Sequence, residues 1–179
     1  VSAVDSAGTP VVFEAASTAY NAVTFDSSNN KIIISYRDGG NSNYGTAVVG
    51  TVSGTSITFG TAVVFESAST TYTSCTYDFT NGKVVIAYRD GGNADYGTAI
   101  VGTVSGTSIS FGTAVVFSSA ALDAVTIGIT YDSNAQKIVA AYGTTAGGYR
   151  GDSIVGTVSG TSISFGSPTT FEAQYINYV

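Results

Sequence analysis

The residues best equipped for chemistry sit in one nine-residue stretch that occurs twice. Tyr36-Arg37-Asp38-Gly39-Gly40-Asn41-Ser42-Asn43-Tyr44 returns 52 residues later as Tyr88-Arg89-Asp90-Gly91-Gly92-Asn93-Ala94-Asp95-Tyr96. Carboxylates, amides and guanidinium groups exchange hydrogen bonds with hydroxyl groups, and tyrosine offers an apolar ring with a polar tip. The stretch therefore predicts two equivalent sites for a glycan or another small hydroxylated ligand. Tyr36, Arg37, Asp38, Asn41 and Tyr44 would build the first, and Tyr88, Arg89, Asp90, Asn93 and Tyr96 the second. The competing expectation is a structural loop in which Arg37 and Asp38 tie neighbouring units and Asn41 caps a turn. A third version, Tyr142-Gly143-Thr144-Thr145-Ala146-Gly147-Gly148-Tyr149-Arg150, lacks the Arg-Asp pair and argues against a site shared by all copies.

Other chemistries find little to work with. Histidine is absent, which removes the usual general base, the usual metal ligand and every Ser-His-Asp or Cys-His arrangement. No glycine-rich phosphate loop leads from a strand into a helix. Asp90, Asn93 and Asp95 place oxygen atoms at alternating loop positions, as do Asp38, Asn41 and Asn43. That pattern suits Ca²⁺, although the second loop has only two carboxylates and the first only one. A glycosidase built on two carboxylates would need dissimilar residues converging on one point, and the units are too alike. The chain is expected to be non-enzymatic and to need no cofactor. Asp26, Asp78 and Asp132 precede turns and are expected to cap them. Lys31, Lys83 and Lys137 open strands and are expected to guard edges or turns. Arg150-Gly151-Asp152 spells a cell-attachment tripeptide, but Asp152 aligns with Thr46 and Thr98 on a strand. The single cysteine, Cys75, stands where other repeats carry Val23 and Ile129 and is expected to be a small buried apolar residue.

What positions these residues is a repeat. Gly8-Thr9-Pro10-Val11-Val12-Phe13-Glu14 recurs from Gly60, from Gly112 and more loosely from Gly166, at spacings of 52, 52 and 54 residues. A fixed period of this size marks supersecondary units that bury each other's apolar faces. Within the second unit, Thr71–Asp78, Lys83–Arg89, Tyr96–Val104 and Ser108–Phe117 read as four strands rich in Thr, Tyr, Val and Ile. Asn81-Gly82 marks a hairpin turn and Ser105-Gly106-Thr107 another. The unbroken run Val84-Val85-Ile86-Ala87 suits a strand covered on both faces. Gly112 is expected at a bulge or a close approach. Units one and three match strand for strand, and the two extra residues of unit three fall between Phe117 and Ile129, in the link between units. No helical pattern is present.

Four-stranded units of this length resemble β-propeller blades, broadly similar to the sialidase-type, kelch and YWTD groups. The segment from Tyr77-Asp78 through Lys83–Asn93 to Tyr96–Gly112 resembles tandem repeats of uncharacterised phage structural proteins and environmental bacterial surface proteins. The sialidase Asp-box is missing, there is no Trp, and kelch double-glycine chemistry is not clearly present. The expected fold is all-β: tandem four-stranded antiparallel repeats, as β-propeller-like blades, three full and two partial. The expected divisions are 1–17 (last strand of a preceding unit), 18–69, 70–121 and 122–172 (the three repeats), and 173–179 (start of a further unit). Residues 1–7 read as a worn turn, and Tyr175–Val179 as a first strand. Three blades cannot close a ring. The chain is then a window on a longer array or filament, half of a two-chain ring, or a non-propeller β-stack.

Composition narrows the partners. Charged residues are 10% of 179, against about 25% in an average soluble protein, and the net charge is −6. Nucleic acid, which selects a basic face, is disfavoured. No apolar run is long enough to cross a bilayer as a helix. The absence of Met points to a processed product or a fragment. The resemblance implies an extracellular or virion-surface protein, a scaffold or adhesin with glycans as candidate ligands and self-association as the expected partnership. The alternative is a filament or appendage subunit that polymerises through exposed edge strands.

Overall fold

A computed structural model describes residues 8–146 and 148–174, with backbone alone at 124–126. The expected turn at 1–7 and strand at Tyr175–Val179 lie outside the described residues. The chain is all-β, and the described residues form thirteen strands with only antiparallel pairing among them. The first unit holds β1 (Thr18–Asp26), β2 (Lys31–Asp38), β3 (Tyr44–Ser53) and β4 (Ser56–Phe59). Then come β5 (Val63–Asp78), β6 (Lys83–Asp90), β7 (Tyr96–Ser105) and β8 (Ser108–Phe111). The last are β9 (Val115–Asp132), β10 (Lys137–Thr144), β11 (Arg150–Ser159), β12 (Ser162–Phe165) and β13 (Thr169–Glu172).

The units are joined without a loop. The first part of β5 pairs with β3 as far as Ser69 opposite Tyr44, and from Thr70 opposite Asp90 the same strand pairs with β6. β9 does likewise, passing from β7 at Ala121 to β10 at Leu122. The link between units two and three is therefore strand. The two extra residues are absorbed in a bulge. Thr71 and Ser74 face Arg89 and Ala87, three residues against two, whereas Leu122 and Ile127 face Thr144 and Tyr142, five against two. A bulge takes up unpaired residues while pairing continues on either side. The path of paired strands runs from β1 to β12 and does not close.

Side chains alternate along each strand, so each unit has two apolar faces. On β6, Val84, Ile86 and Tyr88 pack on unit one, with Ile33, Ala47 and Val49, while Val85 and Ala87 pack on unit three, with Ile138, Ala140 and Tyr142. A phenylalanine knob locks each junction. Phe65, at the end of one unit, lies 5.2 Å from the Tyr88 ring and 5.7 Å from Phe111 of the next. Phe117 repeats this on Tyr142 and Phe165 at 5.0 and 5.6 Å, and Phe13 on Tyr36 and Phe59 at 5.2 and 5.9 Å. Gly60 marks a close approach: a Cβ there would lie 1.9 Å from the Thr107 carbonyl oxygen of the next unit, and Gly112 meets Thr161 in the same way. The hairpin at Asn81-Gly82 places only Gly82 at positive φ, with Asn30 and Gln136 in the same role elsewhere, so one left-handed residue suffices.

Candidate functional site

The repeated loop is a braced turn. The Asp38 carboxylate is buried and accepts hydrogen bonds from the Gly40 and Asn41 amides at 2.9 and 3.1 Å; Asp90 accepts from Gly92 at 2.9 Å. The Tyr44 amide donates to the Asn41 carbonyl at 3.0 Å, and Tyr96 to Asn93 at 3.0 Å. Between those residues Ser42 and Asn43, or Ala94 and Asp95, sit at φ of 51–63°, the two left-handed positions of a tight hairpin turn. The cap is thus the aspartate, not Asn41, whose side chain is exposed with that of Asn93. Tyr36 and Tyr88 are 0% exposed. Their rings are core, so the stacking surface expected of them is absent, while Tyr44 and Tyr96 are half-buried.

The arginines turn inward as well. Arg89 pairs with Asp95 at 2.7 Å and donates to Thr71 at 3.4 Å; the Arg37 guanidinium lies 4.9 Å above the Tyr20 ring. With Asp95 held by Arg89 and Asp90 by Gly92, the oxygens expected to hold Ca²⁺ are engaged beside a positive charge. Among the described residues no group of three or more His, Cys, Asp or Glu is placed to share an ion.

Behind the loops lies a buried phenol–carboxylate pair. The Tyr88 hydroxyl donates to Glu66 at 3.0 Å, and Tyr36 to Glu14 at 3.4 Å. Burial, then the facing glutamate charge, raises both phenols well above their ordinary range. Burial, reinforced by Asp90 and opposed by the bond from Tyr88, pushes the Glu66 carboxyl upward.

The third unit breaks this arrangement at several positions together. Ser118 stands where Glu14 and Glu66 stand, Thr144 where Asp38 and Asp90 stand, Arg150 in place of Tyr44 and Tyr96, and Asp152 in place of Thr46 and Thr98. The shorter serine leaves a cleft of about 290 Å³, floored by Phe117 and Tyr142 and walled by Ser118, Thr144, Arg150 and Asp152. Asp152 is 3% exposed; its carboxylate accepts from Arg150 Nε at 3.0 and 3.1 Å and from the Thr170 hydroxyl at 2.7 Å. Burial, with the Asp152 charge adding to it, pushes the Tyr142 phenol up to about 12. Asp152 is structural, so the tripeptide it ends offers no free carboxylate tip. Sequence reading passed over this cleft because the lost Arg-Asp pair signalled only the loss of a shared site. The available signal was several departures from the repeat that meet in space.

A second feature missed in the sequence is a pair of strained tyrosines. Tyr20 and Tyr72 have φ of 54° and 53° inside the bulges of β1 and β5, with ring centroids 4.7 Å apart. The Thr73 hydroxyl donates to the Tyr20 carbonyl, tying the first strands of units one and two.

The remaining candidates are architectural. Asp26, Asp78 and Asp132 accept turn amides at 2.9–3.0 Å. Lys31 and Lys83 donate to Thr51 and Thr103 at 3.0 and 2.9 Å. Cys75 packs against the core between units one and two, where burial raises its thiol to about 11 and keeps it protonated. No helix among the described residues is long and apolar enough to cross a membrane. No protein-family profile, curated protein or solved structure matches the chain.

Proposed function

We propose that the chain is a non-enzymatic structural repeat protein whose units are propeller-like blades, and that it assembles with further copies through its two uncovered sheet faces. The observation that carries this reading is a mismatch between equivalent positions. Val49 and Val101 are 0% exposed beneath the next unit, whereas their counterpart Val155 is 48% exposed. At the opposite end Phe25 is 50% exposed, although its counterpart Tyr77 is 8% exposed. Val23 beside Phe25 is open too. These ends are complementary, because inside the chain one kind of face covers the other. Contiguous exposed apolar surface marks an interaction site, and a head-to-tail contact of unlike faces closes into a ring or runs on as a filament.

A scaffold or adhesin on a cell or virion surface suits this chemistry. The low charge and hydroxyl-rich exterior leave few groups for catalysis, and several similar units would add weak contacts into avidity. A second route, through strand edges, is favoured by one feature. Val11 and Val12, exposed and in no strand, are the counterparts of Val63 and Val64, which pair with β3. Light scattering and negative-stain electron microscopy test the proposal. Rings or filaments that grow with concentration support it, and a monomer at every concentration rules it out. Loss of assembly in Val12→Pro with Val155→Lys unaffected would assign it to the edge instead of the faces.

A further inference from the structure

We propose that the cleft of the third unit, between Ser118, Tyr142, Thr144, Arg150 and Asp152, is a binding site for a single neutral pyranose ring. The proposal is independent of assembly, since these groups belong to the junction between units two and three and not to either open face.

Three observations converge. The cleft exists because of substitution within a repeat: in units one and two a glutamate fills the same place and is bonded to the tyrosine behind it. The departure at 118 is distant in sequence from those at 144, 150 and 152, yet all four line one cavity, while the apolar faces of the unit remain like those of the others. Its volume, about 290 Å³, lies at the small end of ligand pockets, which start near 300 Å³, and suits one sugar ring.

The lining selects the ligand. The Arg150–Asp152 pair is close to neutral as a unit, so it favours neither an anion nor a cation. Among the described residues Arg150 bonds through Nε, to Asp152, and with the side chain 34% exposed its terminal nitrogens can donate to ligand oxygens. The Ser118 hydroxyl donates to the Ala120 carbonyl at 3.1 Å and the Thr144 hydroxyl to the Ala121 carbonyl at 3.4 Å, so each turns its remaining lone-pair capacity, as an acceptor, to a ligand hydroxyl. A guanidinium donor and hydroxyl acceptors at the rim, backed by the buried Phe117 and Tyr142, match a ring that carries hydroxyls on its edge. This site lies apart from the loops 38–44 and 90–96, whose Asp38 and Asp90 accept amides of their own turns.

Saturation-transfer NMR against glucose, galactose, mannose and N-acetylglucosamine tests this, with backbone amide shifts mapping the contact. At least one sugar is expected to receive saturation and to shift amides within 118–120 and 142–153. Ser118→Gln restores the volume that glutamate occupies in the other units. It is expected to keep the fold, seen as unchanged circular dichroism, and to weaken binding at least tenfold. No saturation of any of the four sugars, undiminished binding in Ser118→Gln, or shifts confined to the loops at 38–44 and 90–96 would overturn the proposal. The shift map decides the question on the unmodified protein even if the variant unfolds.

Discussion

The phenylalanine knobs form a natural series in which sequence context is nearly constant and burial is not. Phe65 and Phe117 are 8% and 7% exposed, each held between two rings of the next unit, whereas Phe171, their counterpart in β13, is 53% exposed. Truncating a fully packed phenylalanine removes its transfer free energy and leaves a cavity, at a cost of about 3–5 kcal/mol. Aromatic pairing contributes roughly 0.5–1.5 kcal/mol of that. For a chain of this length each kcal/mol lowers the melting temperature by about 2–4 °C. Phe65→Ala and Phe117→Ala are therefore expected to melt roughly 6–20 °C early, and Phe171→Ala within about 0.5 kcal/mol of the parent. Urea unfolding followed by near-ultraviolet circular dichroism of the tyrosines reads this directly, at a dilution where association contributes nothing. A Phe65→Ala cost below about 1 kcal/mol, or a Phe171→Ala cost equal to it, would refute the idea that each unit plugs the next.

Three further outcomes follow from the same contacts. Gly60→Ala forces a methyl onto the Thr107 carbonyl and is expected to cost about 3 kcal/mol or more, whereas Gly54→Ala, at φ +59° in open space, costs only about 1–2 kcal/mol in the same unfolding assay. Asp90→Ala removes the acceptor of the Gly92 amide and is expected to cost about 1 kcal/mol and to speed hydrogen exchange in the 90–96 loop, with sugar binding untouched. Glu66 has its carboxyl raised by burial and by Asp90, so the folded state holds that proton more tightly than the unfolded chain. Its contribution is full below the unfolded value and is lost as pH rises through the folded one. Glu66→Gln should flatten that fall, above the ordinary titration range of a glutamate, relative to the parent, and a parallel pair of stability curves would contradict the assignment.

The strand set and the period were legible because alternation and turn chemistry are local: Val84 to Ala87 reads as doubly covered, and Ser105-Gly106-Thr107 as a turn. That β5 and β9 run on unbroken as they change partner at Ser69-Thr70 and Ala121-Leu122 was not, since no local pattern there distinguishes a continuing strand from a link. Tyr36 and Tyr88 misled because a tyrosine between Ser or Ala and Arg reads as a surface ring, and only the glutamate 22 residues earlier accounts for its buried hydroxyl. The bulges at Tyr20 and Tyr72 escaped because bulky residues seldom take positive φ, so composition predicts against them. Tertiary convergence made the third-unit cleft visible, as Ser118 and Asp152 meet only in the fold.

Complementation between two face variants probes assembly most directly. Phe25→Lys spoils one open face and leaves the other, and Val155→Lys does the reverse. In sedimentation velocity each variant alone is expected at the mass of one 18.1 kDa chain, and an equimolar mixture at twice that mass, because one intact junction remains. A mixture that stays at the single-chain mass, or a Phe25→Lys or Val155→Lys variant that still assembles alone, would contradict the pairing of unlike faces.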